Sequence, residues 1–274
     1  MAPRIAIVDY RKGNLKSVER GIDAAGGDAF VACDPAAIAA ADAIVLPGVG
    51  AFADAAATMQ ALGQTGVVRE RIAAGVPFLG ICLGMHLLFE EGVEGAPDED
   101  DEASTHNARG LAVLPGVVGA MPKADAEGRA YKVPHVGWNS VVPPACQPAE
   151  LLDAAASPGT RSRGDAGGSR TEVRFASAIP TISGTGETLA DLGGPVSFAS
   201  PLFEGVEPGE YFYFTHGFIA PSGPFVIGET THSVTFPSAV RYGDAAFGVQ
   251  FHPEKSSDAG ARLLRNFVSI VKGA

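Results

Sequence analysis

Between residues 78 and 84 the chain reads Phe-Leu-Gly-Ile-Cys-Leu-Gly, an apolar run that carries Cys82 into a turn with Gly80 before it and Gly84 after it. Where a strand bends sharply into a helix, backbone packs on backbone, and only small residues fit beside the bend. The spacing therefore predicts a nucleophile elbow: a buried strand, one cysteine raised clear of the sheet, and a helix that starts at once. Such a unit belongs in a parallel sheet, and residues 1–90 supply the rest by alternating β-rich and helical patterns. Strands are expected at 5–9, 29–33, 43–46 and 77–81. Helices are expected at 14–25, 51–62, 65–74 and 83–91, with Asn14 capping the first and Gly26-Gly27 stopping it.

Further along, strand-like runs at 111–114, 133–142, 211–215, 225–231 and 246–251 lead into a C-terminal helix. There Leu263, Leu264, Phe267 and Val271 recur at helical spacing. The fold class expected is α/β, an open, mostly parallel sheet with flanking helices and an additional antiparallel strand region. One domain is expected over 1–274, with flexible insertions at about 95–107 and 146–195. The first insertion holds Asp98-Glu99-Asp100-Asp101-Glu102, whose mutual repulsion favours a solvated loop. The second is rich in Gly, Ala, Ser and Thr and offers little to bury.

Charge narrows the function. With 20 Lys and Arg against 31 Asp and Glu the formal net charge is −11, so a broad phosphate-gripping surface, and with it nucleic acid as a partner, is not expected. A local pocket could still accept a small anion. No apolar run reaches the roughly 18–20 residues that span a bilayer, and the opening segment does not read as a signal peptide. A cytoplasmic protein that meets no membrane is expected. Cys33, Cys82 and Cys146 fall in no CxxC or Cys/His spacing, so neither a disulfide framework nor a structural zinc is expected. Gly184-Thr185-Gly186 lacks the third glycine and the preceding strand that a dinucleotide loop needs.

Taken alone, Cys82 allows two readings. It is either a small buried hydrophobe, as most free cysteines are, or a thiolate favoured by the N–H groups of a helix N-terminus. A nucleophilic thiol needs a base. Residues 248–254 read Gly-Val-Gln-Phe-His-Pro-Glu, a strand that ends at His252 with Glu254 just beyond it. Pro253 fixes its own φ and restricts the residue before it, which keeps His252 extended and lets Glu254 turn back to the same side. The carboxylate would orient one ring nitrogen and leave the other for Cys82. A strand-end histidine satisfied by solvent is the alternative, and the elbow cysteine is what favours catalysis.

Gly80-Ile81-Cys82-Leu83-Gly84 together with Phe247-Gly248-Val249-Gln250-Phe251-His252-Pro253-Glu254 resembles the class I, triad-type glutamine amidotransferases. Within that class, four further segments are similar to the glutaminase subunits of imidazole glycerol phosphate synthases. They are Pro47-Gly48-Val49-Gly50, Lys132-Val133-Pro134-His135-Val136-Gly137-Trp138-Asn139, Tyr213-Phe214-Thr215-His216 and Lys255-Ser256. The likeness covers most of residues 4–142 and 198–271. It implies that L-glutamine is hydrolysed to L-glutamate and ammonia by a Cys82, His252 and Glu254 triad, with no cofactor and no metal. It also implies a heterodimer with a cyclase subunit, which receives the ammonia and makes imidazole glycerol phosphate and AICAR in L-histidine biosynthesis. The implied oxyanion hole is the N–H of Leu83 with an N–H from Val49 or Gly50, completed by a flip of residues 47–50 when the partner is occupied. The implied glutamine contacts are His86, Glu94 and the main chain of Gly217 and Phe218, with His216 shaping the pocket. His135 and Trp138 stay open between core packing and a partner interface.

One position departs from the family. Glutamine is usual at the residue occupied here by His86, and an imidazole cannot offer both the donor and the acceptor of an amide in one group. Weaker glutamine binding with the triad chemistry intact is the expectation. His106 and His232 have no identifiable partner. Two other classes compete: a catalytically silent binding subunit, suggested by His86 and the insertions, and a stand-alone cysteine hydrolase or an amidotransferase of another pathway. The intact Cys82, His252 and Glu254 weigh against the silent subunit.

Overall fold

The computed structural model describes residues 2–99, 101–144 and 197–274. The expected insertion at 146–195, with Cys146 and Gly184-Thr185-Gly186, lies outside the described residues. In chain order the elements are β1 (Arg4–Val8), α1 (Leu15–Ala24), β2 (Asp28–Ala32), α2 (Pro35–Ala39), β3 (Ala43–Gly48), α3 (Phe52–Ala61), α4 (Gln64–Ala73), β4 (Phe78–Cys82) and α5 (Leu83–His86). They continue with β5 (Phe89–Gly92), β6 (Ala108–Arg109), β7 (Leu114–Ala120), β8 (His135–Ser140), β9 (Tyr211–His216), β10 (Phe218–Ile219), β11 (Val226–Thr231), β12 (Thr235–Tyr242), β13 (Ala246–Val249) and α6 (Ser257–Gly273).

A seven-stranded sheet in the order β11-β12-β13-β4-β3-β1-β2 forms the centre. From β2 to β13 every pairing is parallel, and β12 and β11 complete the sheet antiparallel. The inner strands are apolar on both faces because helices cover both. Ile5, Ile7, Val45, Leu79, Ile81 and Val249 point to one side, where they meet Val18 and Ile22 of α1 and Leu263, Leu264 and Phe267 of α6. Ala6, Val8, Ile44, Leu46 and Phe78 point to the other, against Ile38, Phe52, Met59, Val68 and Ile72 of α2 to α4. A four-stranded sheet (β10-β7-β5-β6) and a two-stranded one (β8-β9) lie outside this frame. The mostly parallel α/β class is as expected.

Several local expectations change. The helix after Cys82 ends at His86 instead of continuing to residue 91, because residues 89–92 pair with β7 as a strand, Phe89 with Leu114 and, past an irregularity in register, Glu91 with Val117 and Gly92 with Val118. Strand β12 lies outside the expected runs; its Pro237 is tolerated opposite Glu229, beside a register shift at Gly228 where the ladder is already irregular. Asn14 stands at the start of α1, but its side chain makes no cap hydrogen bond. The unforeseen α2 is capped by Asp34, whose carboxylate accepts from the Ala36 N–H, with Pro35 in the first turn.

Candidate active site

Strands β3, β4 and β13 are parallel neighbours, so their C-terminal ends open on one edge of the sheet, where α/β proteins bind ligands. Register pairs Gly48 with Cys82 and Val249 with Ile81. Cys82 holds φ 55 and ψ −110, a backbone state that a residue with a side chain rarely adopts and that stores on the order of 1–3 kcal/mol. The flanking glycines explain how the bend closes. A Cβ on Gly84 would overlap the Leu46 carbonyl oxygen, and one on Gly80 would lie 2.5 Å from the Gly84 oxygen. The strand before the implied oxyanion loop runs through Gly48, past the expected end at Leu46, so only Val49 and Gly50 remain free of the ladder.

The histidine is anchored from three sides. Its N–H donates to the Tyr213 carbonyl at 2.9 Å, its carbonyl accepts from Ser256 Oγ at 2.6 Å, and Nδ1 pairs with Glu254 Oε1 at 2.9 Å. The His252 and Glu254 side chains are only 3% and 1% exposed. Burial disfavours the imidazolium, but the neighbouring Cys82 sulfur and Glu254 carboxylate outweigh it and raise His252 to about 9. The other ring nitrogen, Nε2, is buried and has no hydrogen bond of ordinary geometry among the described residues, although Cys82 is near enough to be a leading influence on the ring. With Glu254 accepting at Nδ1, Nε2 is the nitrogen left for the sulfur. Two other groups reach Cys82 Sγ: the Thr215 carbonyl at 3.8 Å and Gln250 Nε2 at 3.7 Å.

All the other expected site residues line one pocket of about 280 Å³. Val49, Gly50, Cys82 and Leu83 form one side, His86 and Glu94 another, and His216, Gly217 and Phe218 a third. Pro134 and Thr215 also contribute and were not singled out in the sequence. A larger open cleft of about 750 Å³ lies elsewhere, beside Arg69, Glu90 and Arg109, but it holds no nucleophile and base pair. Glu94 is tied to the start of α3: its Oε2 accepts from the Phe52 N–H at 3.3 Å. Burial, with a further contribution from Glu99, raises its carboxyl to about 7 against the opposing Phe52 hydrogen bond.

Other expectations are corrected. Trp138 is 50% exposed, so core packing does not account for it, whereas His135 is buried. His232 has partners after all: Nε2 meets the Lys132 carbonyl at 3.0 Å and its ring stacks on His135. His106 likewise pairs with Asp98 at 2.9 Å, and Ser104 Oγ donates to the same carboxylate oxygen. Asp98, Glu99, Asp101 and Glu102 of the acidic run are exposed, yet Glu99 acts electrostatically on Glu94. Cys33 and Cys82 are free thiols. Among the described residues no helix is long and apolar enough to cross a membrane.

Comparison with known proteins identifies the family and the fold. The family model "Glutamine amidotransferase class-I" matches residues 7–271. The chain is 36% identical over 272 residues to "Imidazole glycerol phosphate synthase subunit HisH" of Moorella thermoacetica, covering 98% of this chain and 96% of that one. It is 34% identical over 269 residues to the protein of the same name from Methanothermobacter thermautotrophicus, covering 98% and 99%. Among solved structures, a "Crystal structure of glutamine amidotransferase" aligns with a TM-score of 0.56 at 15% identity, over 97% of this chain and 98% of that one. PurLQS from Thermotoga maritima aligns with a TM-score of 0.56 at 13% identity, over 98% and 99%. At those identities the structural matches speak to the fold.

Proposed function

The chain belongs to the class I glutamine amidotransferases, and from that premise we propose that it is the glutaminase subunit of an imidazole glycerol phosphate synthase. It hydrolyses L-glutamine to L-glutamate and ammonia. The observation that carries the mechanism is the buried His252 and Glu254 pair held at 2.9 Å beside an elbow cysteine. The Cys82 thiolate attacks the side-chain amide carbon, and the oxyanion is held by the Leu83 N–H with an N–H from Val49 or Gly50. The imidazolium of His252 gives its proton to the departing nitrogen, so ammonia leaves and a thioester remains. His252 Nε2 then takes a proton from water, whose attack on the thioester releases glutamate and restores the thiolate. Glu254 holds the imidazole in the tautomer that both half-reactions need.

Glu94 receives the α-ammonium of glutamine, which supplies the counter-charge its partly buried carboxylate lacks. With its carboxyl raised to about 7, protonation sets in as pH falls through that value and the ammonium loses its partner. KM for glutamine is therefore expected to rise below about pH 7 while kcat changes little. Glu99→Gln removes one of the influences that raise Glu94, so the limb should move to lower pH. Steady-state kinetics across this range decide the matter, and a KM that stays flat would remove Glu94 from substrate binding.

The ammonia passes to a cyclase subunit docked on β8 and β9. Val136, Trp138 and Tyr211 are 55%, 50% and 60% exposed, a dense apolar group for a free surface. Lys255 lies 5.8 Å above the ring of Tyr213, next to Trp138. The same strands supply Thr215 and His216 to the pocket wall, which favours a short route for ammonia between the pocket and the docked partner. Occupancy of the cyclase rearranges Val49 and Gly50 to complete the oxyanion hole, a population shift between two loop states. The test is ammonia transfer from glutamine in the presence of the purified cyclase and its ribonucleotide substrate. Glutamate release should rise when the liganded cyclase is added. Full-rate hydrolysis by the chain alone, unchanged by the cyclase, would contradict the assignment.

A further inference from the structure

One buried polar chain beside the nucleophile has no role in the steps above. Gln250 is fully buried just past the end of β13, and the pairing of Val249 with Ile81 brings it alongside Cys82. Its Nε2 lies 3.7 Å from Cys82 Sγ and its Oε1 2.5 Å from His86 Nε2. His86 is itself buried, and burial lowers its imidazole to about 4 against the opposing hydrogen bond from Gln250. The ring is therefore neutral near pH 7, with one N–H to give and one lone pair to offer.

Two orientations of this chain exist in principle. If His86 Nε2–H donates to the amide oxygen, the amide presents N–H to sulfur, which suits a thiolate. If the amide is reversed, its oxygen faces sulfur and its N–H faces His86; that arrangement suits only a protonated thiol. The Thr215 carbonyl already lies against the sulfur and disfavours its negative charge, so a donor on another side is needed to offset it. Nδ1 of His86 makes no hydrogen bond among the described residues, so nothing there claims the ring's proton, and Nε2–H is free to donate to the Gln250 oxygen.

We propose that Gln250 is a positioning residue for the nucleophile: its side-chain N–H holds the Cys82 thiolate against the Thr215 carbonyl, and His86 fixes the orientation of that amide. This rests on Cys82 being the nucleophile. It also gives His86 a task that an amide side chain could perform through its own N–H.

The test is the pH dependence of Cys82 alkylation by iodoacetamide, read on the peptide that carries Cys82 so that the other thiols do not interfere. Loss of a hydrogen bond to a charged group should move the midpoint of alkylation up by about one pH unit in Gln250→Leu, so that below the wild-type midpoint the variant reacts about tenfold more slowly. His86→Leu should move the midpoint in the same direction, because the amide is then free to turn, and His86→Gln should restore it. A role confined to packing would lower the thermal midpoint and leave the alkylation profile in place. A folded Gln250→Leu with the wild-type profile overturns the proposal. Should that variant fail to fold, a wild-type profile in His86→Leu does the same. If wild-type Cys82 reacts no faster than an ordinary exposed thiol, the functional reading fails and takes this proposal with it; a reactive wild type with unmoved variants refutes the positioning role alone.

Discussion

Cys82→Ser is expected to lower glutaminase turnover by on the order of 10⁴-fold or more, the scale seen when a covalent nucleophile is removed from an acting unit. Serine has nearly the same shape, so the bend at φ 55 and the contacts of Gly80 and Gly84 survive. What is lost is ionisation. A thiol beside a histidine raised to about 9 can transfer its proton to that ring, whereas a hydroxyl stays protonated and attacks only if a base removes its proton in the transition state. Two measurements check this: glutamate release, and covalent mass added by a glutamine-mimicking electrophile. The label should appear on Cys82 in the wild type and be absent in the variant. A serine enzyme within tenfold of wild type would remove Cys82 as nucleophile, and a labelled wild type excludes a silent binding subunit.

Glu254→Gln is expected to reduce kcat by roughly 10³–10⁴-fold, as loss of the orienting carboxylate does in a serine triad. The carboxylate accepts from Nδ1–H at 2.9 Å and leaves Nε2 for chemistry. A glutamine amide can instead donate to Nδ1, which forces the proton onto Nε2 of the neutral ring and blocks its use as a base. A pH signature accompanies the loss. His252 is raised, so its charged form persists until pH climbs through about 9 and only then loses the proton that ammonia needs to leave. Activity should therefore fall on the alkaline side near that value in the wild type. In Glu254→Gln one of the influences that raise the ring is gone, so the fall should begin at lower pH. An alkaline limb in the same place in both enzymes would show that Glu254 does not act through His252.

The proposed triad was legible because each member carries local chemistry. Glycines mark the bend at Cys82, and Pro253 disposes His252 and Glu254 toward one another within a few residues. Its assembly was not legible, since nothing local to the β13 segment says that it lies beside β4. Gln250 stood inside the quoted motif and still conveyed no role, because its two partners are 164 and 168 residues away along the chain. Trp138 was ambiguous for a related reason: a lone tryptophan in a strand pattern suits a core as well as a docking face, and only its neighbours decide. The influence of Glu99 on Glu94 depends on how a loop folds back, and charge spacing within the loop does not reveal that.

Residue order alone determined the local units around the bend: the inner parallel strands and the helices between them, where the bend must fall, which side chains can ionise or donate, and that both faces of the inner strands must be covered. These follow from sterics and periodicity over a few residues. Strand order, the alignment of Gly48, Cys82 and Gln250 at one sheet edge, the depth of the histidines and the openness of the β8-β9 face were decided only by tertiary structure. Burial and electrostatic influence depend on distance through space, and a chain fixes that distance only when distant strands pair.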